Sequence, residues 1–341
     1  MNVRRSTTPR RAALLIGLFV AASSSWEALH GAEGPPAQVQ ARAVVSPARP
    51  LIRKLGTIEA DLVEATPIVF RDRLYRFEYV RPGYHANKTG DSWFHFVDVE
   101  TGKPSAPFAH GYDLGCAYVE GDAVWAFGVT QWDGDTIAVF RSTDLEHWEK
   151  CSELKLPGWG LFNTSVCKAG DRYVMAIEVG RPPEVVGVPF TTRFAESNDL
   201  CEWKLLPESH VFTKDRYSAC PSIRFLDDGW FYMLYLEARP GPAYETHLVR
   251  SRDLIVWQPS PLNPIMKASD DDKLIANPNL SPSHREKIAA AVDLNNSDMD
   301  LCEFHGKTII SYSWGNQMGV EFLAAAEYDG PVASFLHACF P

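Results

Sequence analysis

Short apolar runs joined by tight polar turns recur in pairs along most of this chain. They are "EATPIVFRDRLYRFEYV" (64–80), "LGCAYVEGDAVWAFGVT" (114–130), "NTSVCKAGDRYVMAIEVG" (163–180), "SACPSIRFLDDGWFYMLYLEA" (218–238) and "NNSDMDLCEFHGKTIISYSWG" (295–315). β-Branched and aromatic residues crowd both halves of each pair. The centres are turn-forming: Arg71-Asp72, Glu120-Gly121-Asp122, Ala169-Gly170-Asp171, Asp227-Asp228-Gly229 and His305-Gly306-Lys307. That pattern predicts hairpins. A third strand follows each pair: "SWFHFVDVE", "TIAVFRS", "TTRFAES", "ETHLVRS" and "EFLAAAEYDG".

Three of these third strands run into one phrase, Ser-x-Asp-Leu-x-x-Trp. It reads "STDLEHW" at 142–148, "SNDLCEW" at 197–203 and "SRDLIVW" at 251–257, with starts 55 and 54 residues apart. Ser and Asp side chains can accept from nearby backbone N–H groups and tighten a turn. Leu and Trp then bury apolar area where a fourth strand begins. Five units of four strands, none able to cover both faces alone, predict an all-β, five-bladed β-propeller of antiparallel sheets. The first unit lacks the phrase and carries "FVDVETGKP" instead. Residues 259–294 break the pattern: they hold "SDDDK" and a predicted helix in "SPSHREKIAAAVDL", capped by Ser281 or Ser283. We read this stretch as a short helical insertion before the last blade.

Residues 1–32 read as an export signal: Arg4, Arg5, Arg10 and Arg11 precede the apolar "AALLIGLFVAA", which is too short for a membrane anchor. Residues 33–54 then form an N-terminal extension and 55–341 the propeller. The expected location is secreted or periplasmic. Net charge is −10, and removing the signal makes it more negative. An acidic chain without a basic stripe argues against nucleic acid as partner. The seven cysteines, at 116, 151, 167, 201, 220, 302 and 339, show no zinc spacing and read mostly as small core residues.

The blade pattern, the repeated turn phrase, and inner strands opening on a polar residue before Pro or a small residue resemble the propeller glycoside hydrolases. These are families 43, 62, 32, 68, 117 and 130, the arabinanase, levansucrase and invertase group. The resemblance covers roughly residues 55–341. It implies carboxylates at the inner-strand starts and an oligo- or polysaccharide substrate. In family 43 an Asp before Pro opens the first blade as base; here Thr66 stands there, and Glu64 lies two residues earlier on the same face. The Glu-Gly-Pro phrase that would hold the acid is "SACP" here, with Cys220 before the Pro. The family-43 triad is therefore not carried over whole.

Glycoside hydrolysis needs one carboxylic acid and a second carboxylate acting as base or nucleophile. Carboxylates in apolar strands, where structure has no use for them, are the candidates. Asp298 and Asp300 alternate along "NNSDMDL" and are expected to share a face, with Asn295 and Asn296 beside them. Glu64 opens the first inner strand. Asp215 and Arg216 precede the fourth, and Glu237 ends "WFYMLYLE". Asp298, Glu64, Asp215 and Glu237 are the catalytic candidates. Asp300, Asn296, Arg216, Glu178, His85, Tyr217, Trp314 and Trp159 are the substrate-binding candidates. Glu78, His110, Tyr84 and Trp132 rank below them, and Arg76 and Arg81 are available as partners for Glu78.

No cofactor is expected. The "SDDDK" loop could attract Ca²⁺ but lacks a spaced ligand pattern. No phosphate-cradling loop, HExxH or GxSxG occurs. Three readings remain open: a hydrolase, preferably inverting as most of the resembling families are; a non-catalytic carbohydrate-binding propeller; and a glycoside phosphorylase. The last predicts cations converging on the acid, with Arg71, Arg216 and His85 as those to check.

Overall fold

The computed structural model describes residues 49–82 and 90–341. The expected signal, most of the N-terminal extension, Tyr84 and His85 lie outside the described residues.

The chain is mostly β, in antiparallel sheets of propeller type. β2 (Ala65–Phe70), β3 (Arg73–Val80) and β4 (Trp93–Asp98) form the first sheet. Residues 104 and 108 bridge to the outer edge of β4. β5 (Asp113–Glu120), β6 (Ala123–Val129), β7 (Thr136–Ser142) and β8 (Glu149–Lys155) form the second. β9 (Gly160–Ala169), β10 (Arg172–Arg181), β11 (Thr191–Ser197) and β12 (Lys204–Leu205) form the third. Next come β13 (Ser218–Phe225), β14 (Phe231–Arg239), β15 (Ala243–Ser251) and β16 (Trp257–Pro259). β17 (Asn295–Phe304), β18 (Lys307–Gly315) and β19 (Glu321–Tyr328) follow. A single parallel pair, Tyr244 with Asn295, joins these last two ladders into one eight-stranded sheet.

The outer strand of the last ladder is β1 (Arg53–Ala60), antiparallel to β19. The N-terminal strand therefore completes the C-terminal sheet. It starts inside the stretch expected to be extension, and its hydrophobic pattern alone did not mark it as a strand. The inner strands make a circuit: β2 packs beside β5, β5 beside β9, β9 beside β13, β13 beside β17, and β17 beside β2. Apolar cores sit between neighbouring sheets. One holds Phe77, Phe94 and Leu114; another holds Phe127, Met175 and Ile177; a small one, Ala65 with Leu323, lies where β19 meets β2. Each sheet thus gains its second cover from the next.

The repeated phrase is a turn, as its composition predicts. The Ser251 hydroxyl accepts from Asp253 and Leu254 N–H at 3.2 and 2.9 Å. Asp253 Oδ1 accepts from Ile255 and Val256 N–H, both at 2.9 Å. The copies at 142 and 197 repeat this geometry. The Leu takes a left-handed backbone in all three, with φ of 66°, 66° and 61°, and each Leu is buried. Trp148 and Trp203 donate to the carbonyl of that Leu.

Helix α1 (Pro183–Val186) is short and lies between β10 and β11. Helix α2 (Pro282–Ala290) is the predicted insertion, and Ser281 caps it by accepting from His284 N–H. Helix α3 (Val332–Ala338), which the sequence pattern does not announce, seats Phe335 and Leu336 in the core. The "SDDDK" segment is a 3₁₀ turn. No helix among the described residues is long and apolar enough to cross a membrane.

Candidate functional site

Three cavities lie in line along the inner strands. The first, about 340 Å³, opens at the strand starts and is lined by Glu64, Arg81, Asn163, Glu178, Cys220, Asp298 and Glu321 among others. A waist of about 30 Å³ follows, passing Thr66, Thr164 and Asp300. The third, about 380 Å³, opens at the strand ends beside Lys168, Arg224 and Glu303. The acidic side chains gather in the first.

Local backbone geometry aims several of them. β5, β13 and β17 each break register with their neighbouring strand at the same level, between Asp113 and Cys116, Ala219 and Ser222, and Ser297 and Asp300. Within these bulges Leu114, Cys220 and Asp298 have φ of 50°, 51° and 50°. Such a bulge bends the strand and re-aims a side chain, and left-handed non-Gly residues concentrate at functional positions. The bulge also corrects the expectation for Asp298 and Asp300. Simple alternation no longer holds across it, so Asp298 lines the mouth while Asp300 lies at the waist. There Asp300 accepts from Ser222 Oγ at 2.6 Å and Arg224 Nη2 at 2.5 Å.

The mouth is built from four carboxylates. Asp298 Oδ2 accepts from Ser297 Oγ at 2.5 Å and Ser313 Oγ at 3.2 Å, and the Cys220 thiol lies near this carboxylate. Glu178 comes from β10, and its Oε2 accepts from Asn163 Nδ2 at 3.0 Å and Cys220 N–H at 2.8 Å. Both bonds fall on one oxygen. Burial pushes the Glu178 carboxyl up to about 8, and the charges of Asp298 and Glu64 add to the shift. Glu321 is likewise pushed up to about 8, first by burial and further by Asp298. Its oxygens are held by Gln317 N–H and Asn295 Nδ2. Glu64 is ion-paired to Arg81 at 3.2 Å, yet burial, Asp298 and Asp113 together raise its pKa. Tyr79 holds Asp113 behind it at 2.6 Å. Asp298 is the common negative neighbour of Glu64, Glu178 and Glu321.

An aromatic wall faces these groups. Trp132, Phe162, Phe190 and Tyr217 form a chain of edge-to-face contacts with centroids 5.5, 4.9 and 5.4 Å apart. Gly180 lets the wall close, because a Cβ there would meet Phe162 and Phe190 at 2.6 Å. An apolar wall opposite carboxylates and amides suits a sugar, whose C–H faces stack while its hydroxyls hydrogen-bond.

The mouth thus collects Asp298, Glu64, Glu178, Tyr217 and the lower-ranked Trp132 from the sequence candidates. The others lie elsewhere. Asp215 and Arg216 pair with each other at 2.9 Å outside the lining, and the Asp215 side chain is 72% exposed. Arg216 and Thr213 hold its carboxyl down at about 2, fully ionised. Glu237 is bonded to Tyr235 and Arg239 at 2.7 and 2.8 Å, beside His247, and does not line the cavity. Its strand is not bulged there, so it stays in sheet packing. Asn296 is fully buried and bonds Lys54 and Asp272. Trp314 is core: it stacks on Phe322 and donates to Thr57 Oγ1 at 2.9 Å. Trp159 lies under the Arg193 guanidinium, against the core between the second and third sheets.

Glu78 is held by Arg76 and His95, while Arg81 serves Glu64 instead. In the "SDDDK" turn, Asp272 is buried against Lys54, Tyr312 and Asn296, which makes it a tie between β1 and the insertion. Among the described residues no group of three His, Cys, Asp or Glu side chains is arranged to hold a metal. Glu321, Asn163 and Asp113 were missed by the sequence reading. Glu321 opens an otherwise apolar strand, the same signal that picked out Glu64.

No family model matches the chain, and no curated protein matches its sequence. Solved structures do match. An α-L-arabinofuranosidase from Podospora anserina, in complex with cellotriose, superposes with TM-score 0.57 at 7% identity, over 83% of this chain and 99% of that one. An α-L-arabinofuranosidase from Fusarium graminearum, in complex with an iminosugar inhibitor, gives 0.54 at 12%, covering 82% and 98%. A thermostable family-43 glycoside hydrolase gives 0.54 at 11%, covering 81% and 95%. The chain shares the propeller-type fold of these solved glycoside hydrolases.

Proposed function

We propose that this chain is a glycoside hydrolase working at the mouth of a five-bladed propeller, with Glu178 as general acid and Asp298 as general base. The circuit of inner strands β2, β5, β9, β13 and β17 supports the blade count. The observation that carries the chemistry is the contrast between two neighbouring carboxyls. Glu178 is buried and holds its proton to about 8. Asp298 Oδ2 instead accepts from two hydroxyls, those of Ser297 and Ser313. Two carboxyls with opposed environments are what acid and base roles require.

In this mechanism the Glu178 proton passes to the glycosidic oxygen as the C–O bond breaks. Asp298 takes a proton from water as that water attacks the anomeric carbon. Glu64 and Arg81 bind hydroxyls, and the aromatic wall orients the ring. Asp298 acts on Glu178 through space and not through a hydrogen bond. The preferred outcome is inversion, which takes a carboxyl separation of about 6.5–9.5 Å. The substrate is an oligo- or polysaccharide, and the basic and apolar N-terminus supports export.

The phosphorylase reading gains little. Arg71 bonds the Thr143 carbonyl at the β2–β3 turn, and Arg216 is paired with Asp215. Arg81 is the cation lining the mouth among the described residues. A purely binding propeller gives no reason to bury Glu178 protonated.

The test is reducing-sugar release from a panel of plant and marine polysaccharides, comparing wild type with Glu178→Gln and Asp298→Asn. Activity is expected from wild type alone. The Gln variant should retain turnover only of aryl glycosides with good leaving groups, and azide should restore aryl release by the Asn variant, with a glycosyl azide as the product. Undiminished release by both variants would overturn the proposal.

A further inference from the structure

Two cysteines lie on the outer rim, away from the mouth. Cys151 is in β8, where the register with β7 slips between Val139–Ser152 and Phe140–Lys150. It is the extra residue of that bulge and has no partner across the ladder. Cys201 lies in the repeated turn after β11, where its N–H donates to Asp199 Oδ1 at 2.9 Å. The two segments belong to neighbouring sheets, and the Ser152 hydroxyl donates to the Cys201 carbonyl at 2.6 Å. Each thiol is near enough to the other to affect its ionisation, and the Cys151 thiol donates to the Glu149 carbonyl at 3.7 Å. Both are partly exposed, and both flank the same apolar core. The other two copies of the turn carry Glu146 and Ile255 at this position, so the turn itself does not require a cysteine.

We propose that Cys151 and Cys201 form a disulfide that staples the second sheet to the third. A bulge residue is free to turn its side chain outward, and the Ser152 bond fixes the facing backbone. An external disulfide of low molecular weight, such as oxidised glutathione, is the oxidant. One protein thiolate attacks it, forming a mixed disulfide and releasing one small thiol. The second protein thiolate attacks the protein sulfur of that mixed disulfide and releases the other. The protein gives up two protons and two electrons, and the oxidant becomes two thiols. Burial pushes the Cys151 thiol up to about 11, and Cys201 is also raised, so oxidation is faster at higher pH. The bond closes a loop of some fifty residues, and loops of this length stabilise chiefly by restricting the unfolded chain.

The experiment oxidises the purified full chain with excess oxidised glutathione at about pH 8.5, incubated long enough for the small thiolate fraction to react to completion. Intact mass should fall by about 2 Da, the two hydrogens lost. Two of the seven thiols should stop reacting under denaturing conditions. A peptide map should join Cys151 to Cys201. A reductant should lower the melting temperature of oxidised wild type by about 5–10 °C. It should leave Cys151→Ser and Cys201→Ser unmoved. Unchanged mass with all seven thiols titrating, or a map joining another pair, would overturn the proposal. The mass and map are read on wild type, so they decide even where a Ser variant folds poorly.

Discussion

The backbone N–H of Cys220 donates to Glu178 Oε2 at 2.8 Å. In the Glu-Gly-Pro phrase of the resembling families the glutamate stands two residues before Pro, where this chain has Ala219, and Cys220 takes the place of the glycine. The carboxylate at this place in the mouth arrives instead from β10 of the adjacent sheet. The left-handed backbone of Cys220, with φ of 51°, turns its N–H towards that carboxylate. The mouth is therefore lined by carboxylates although the sequence phrase is absent.

The pH profile of catalysis follows from Glu178. As general acid it works protonated, so kcat/KM falls as pH rises through about 8, where burial has moved this carboxyl. In Glu178→Gln the basic limb disappears, and activity on substrates with poor leaving groups drops by about 10²–10⁴. Initial rates between about pH 5 and 10 check this. A basic limb that persists unchanged in the Gln variant would assign the acid elsewhere.

Asn163 tunes that limb without touching the proton. Its amide donates to Glu178 Oε2 at 3.0 Å, which favours the ionised form. Asn163→Ala removes this bond, raises the Glu178 pKa and shifts the basic limb to higher pH. A purely structural Asn would change the amplitude of the profile and leave its midpoint in place. The midpoint of kcat/KM against pH is therefore the measurement.

Much of this arrangement was legible in the residues. The repeated turn showed because Ser, Asp, Leu and Trp each have a local job recurring once per sheet. Glu64, Glu178 and Asp298 showed because a carboxylate in an apolar strand is costly without a function. The same rule also picked out Glu237, which Arg239 satisfies, and position before an inner strand picked out Asp215, which Arg216 satisfies. A single strand's pattern does not say which cation will be near. Trp314 and Asn296 are buried by β1, a strand contributed by chain more than 230 residues earlier. Pairing at that separation leaves no local trace. The bulge at Asp298 was invisible for a related reason: periodicity assumes a regular ladder.

Stability should also carry the signature of the mouth. Glu178 keeps its proton when folded to about pH 8, whereas an unfolded Glu releases it near 4.5. Between those values the folded state binds more protons than the unfolded state, so stability falls as pH rises. Gln cannot titrate. The melting temperature of Glu178→Gln relative to wild type is therefore expected to increase from pH 5 to pH 8 by differential scanning calorimetry. A gap constant across this window would mean that Glu178 is ionised throughout it.

The repeated turn carries its own prediction, away from the mouth. Ser251 is fully buried, and its hydroxyl accepts from two backbone N–H groups while donating to Asp253 Oδ1 at 3.0 Å. Ser251→Ala removes the acceptor and leaves both donors short of a partner, a loss of about 1–3 kcal/mol. It also frees the left-handed backbone of Leu254, which plugs the core between the third and fourth sheets. The melting temperature should fall by several degrees while kcat/KM at the permissive temperature stays unchanged. Ser251→Thr keeps the hydroxyl and should recover part of the loss. A Thr variant as unstable as the Ala variant would show that volume at this buried site, and not the hydrogen bonds, holds the turn.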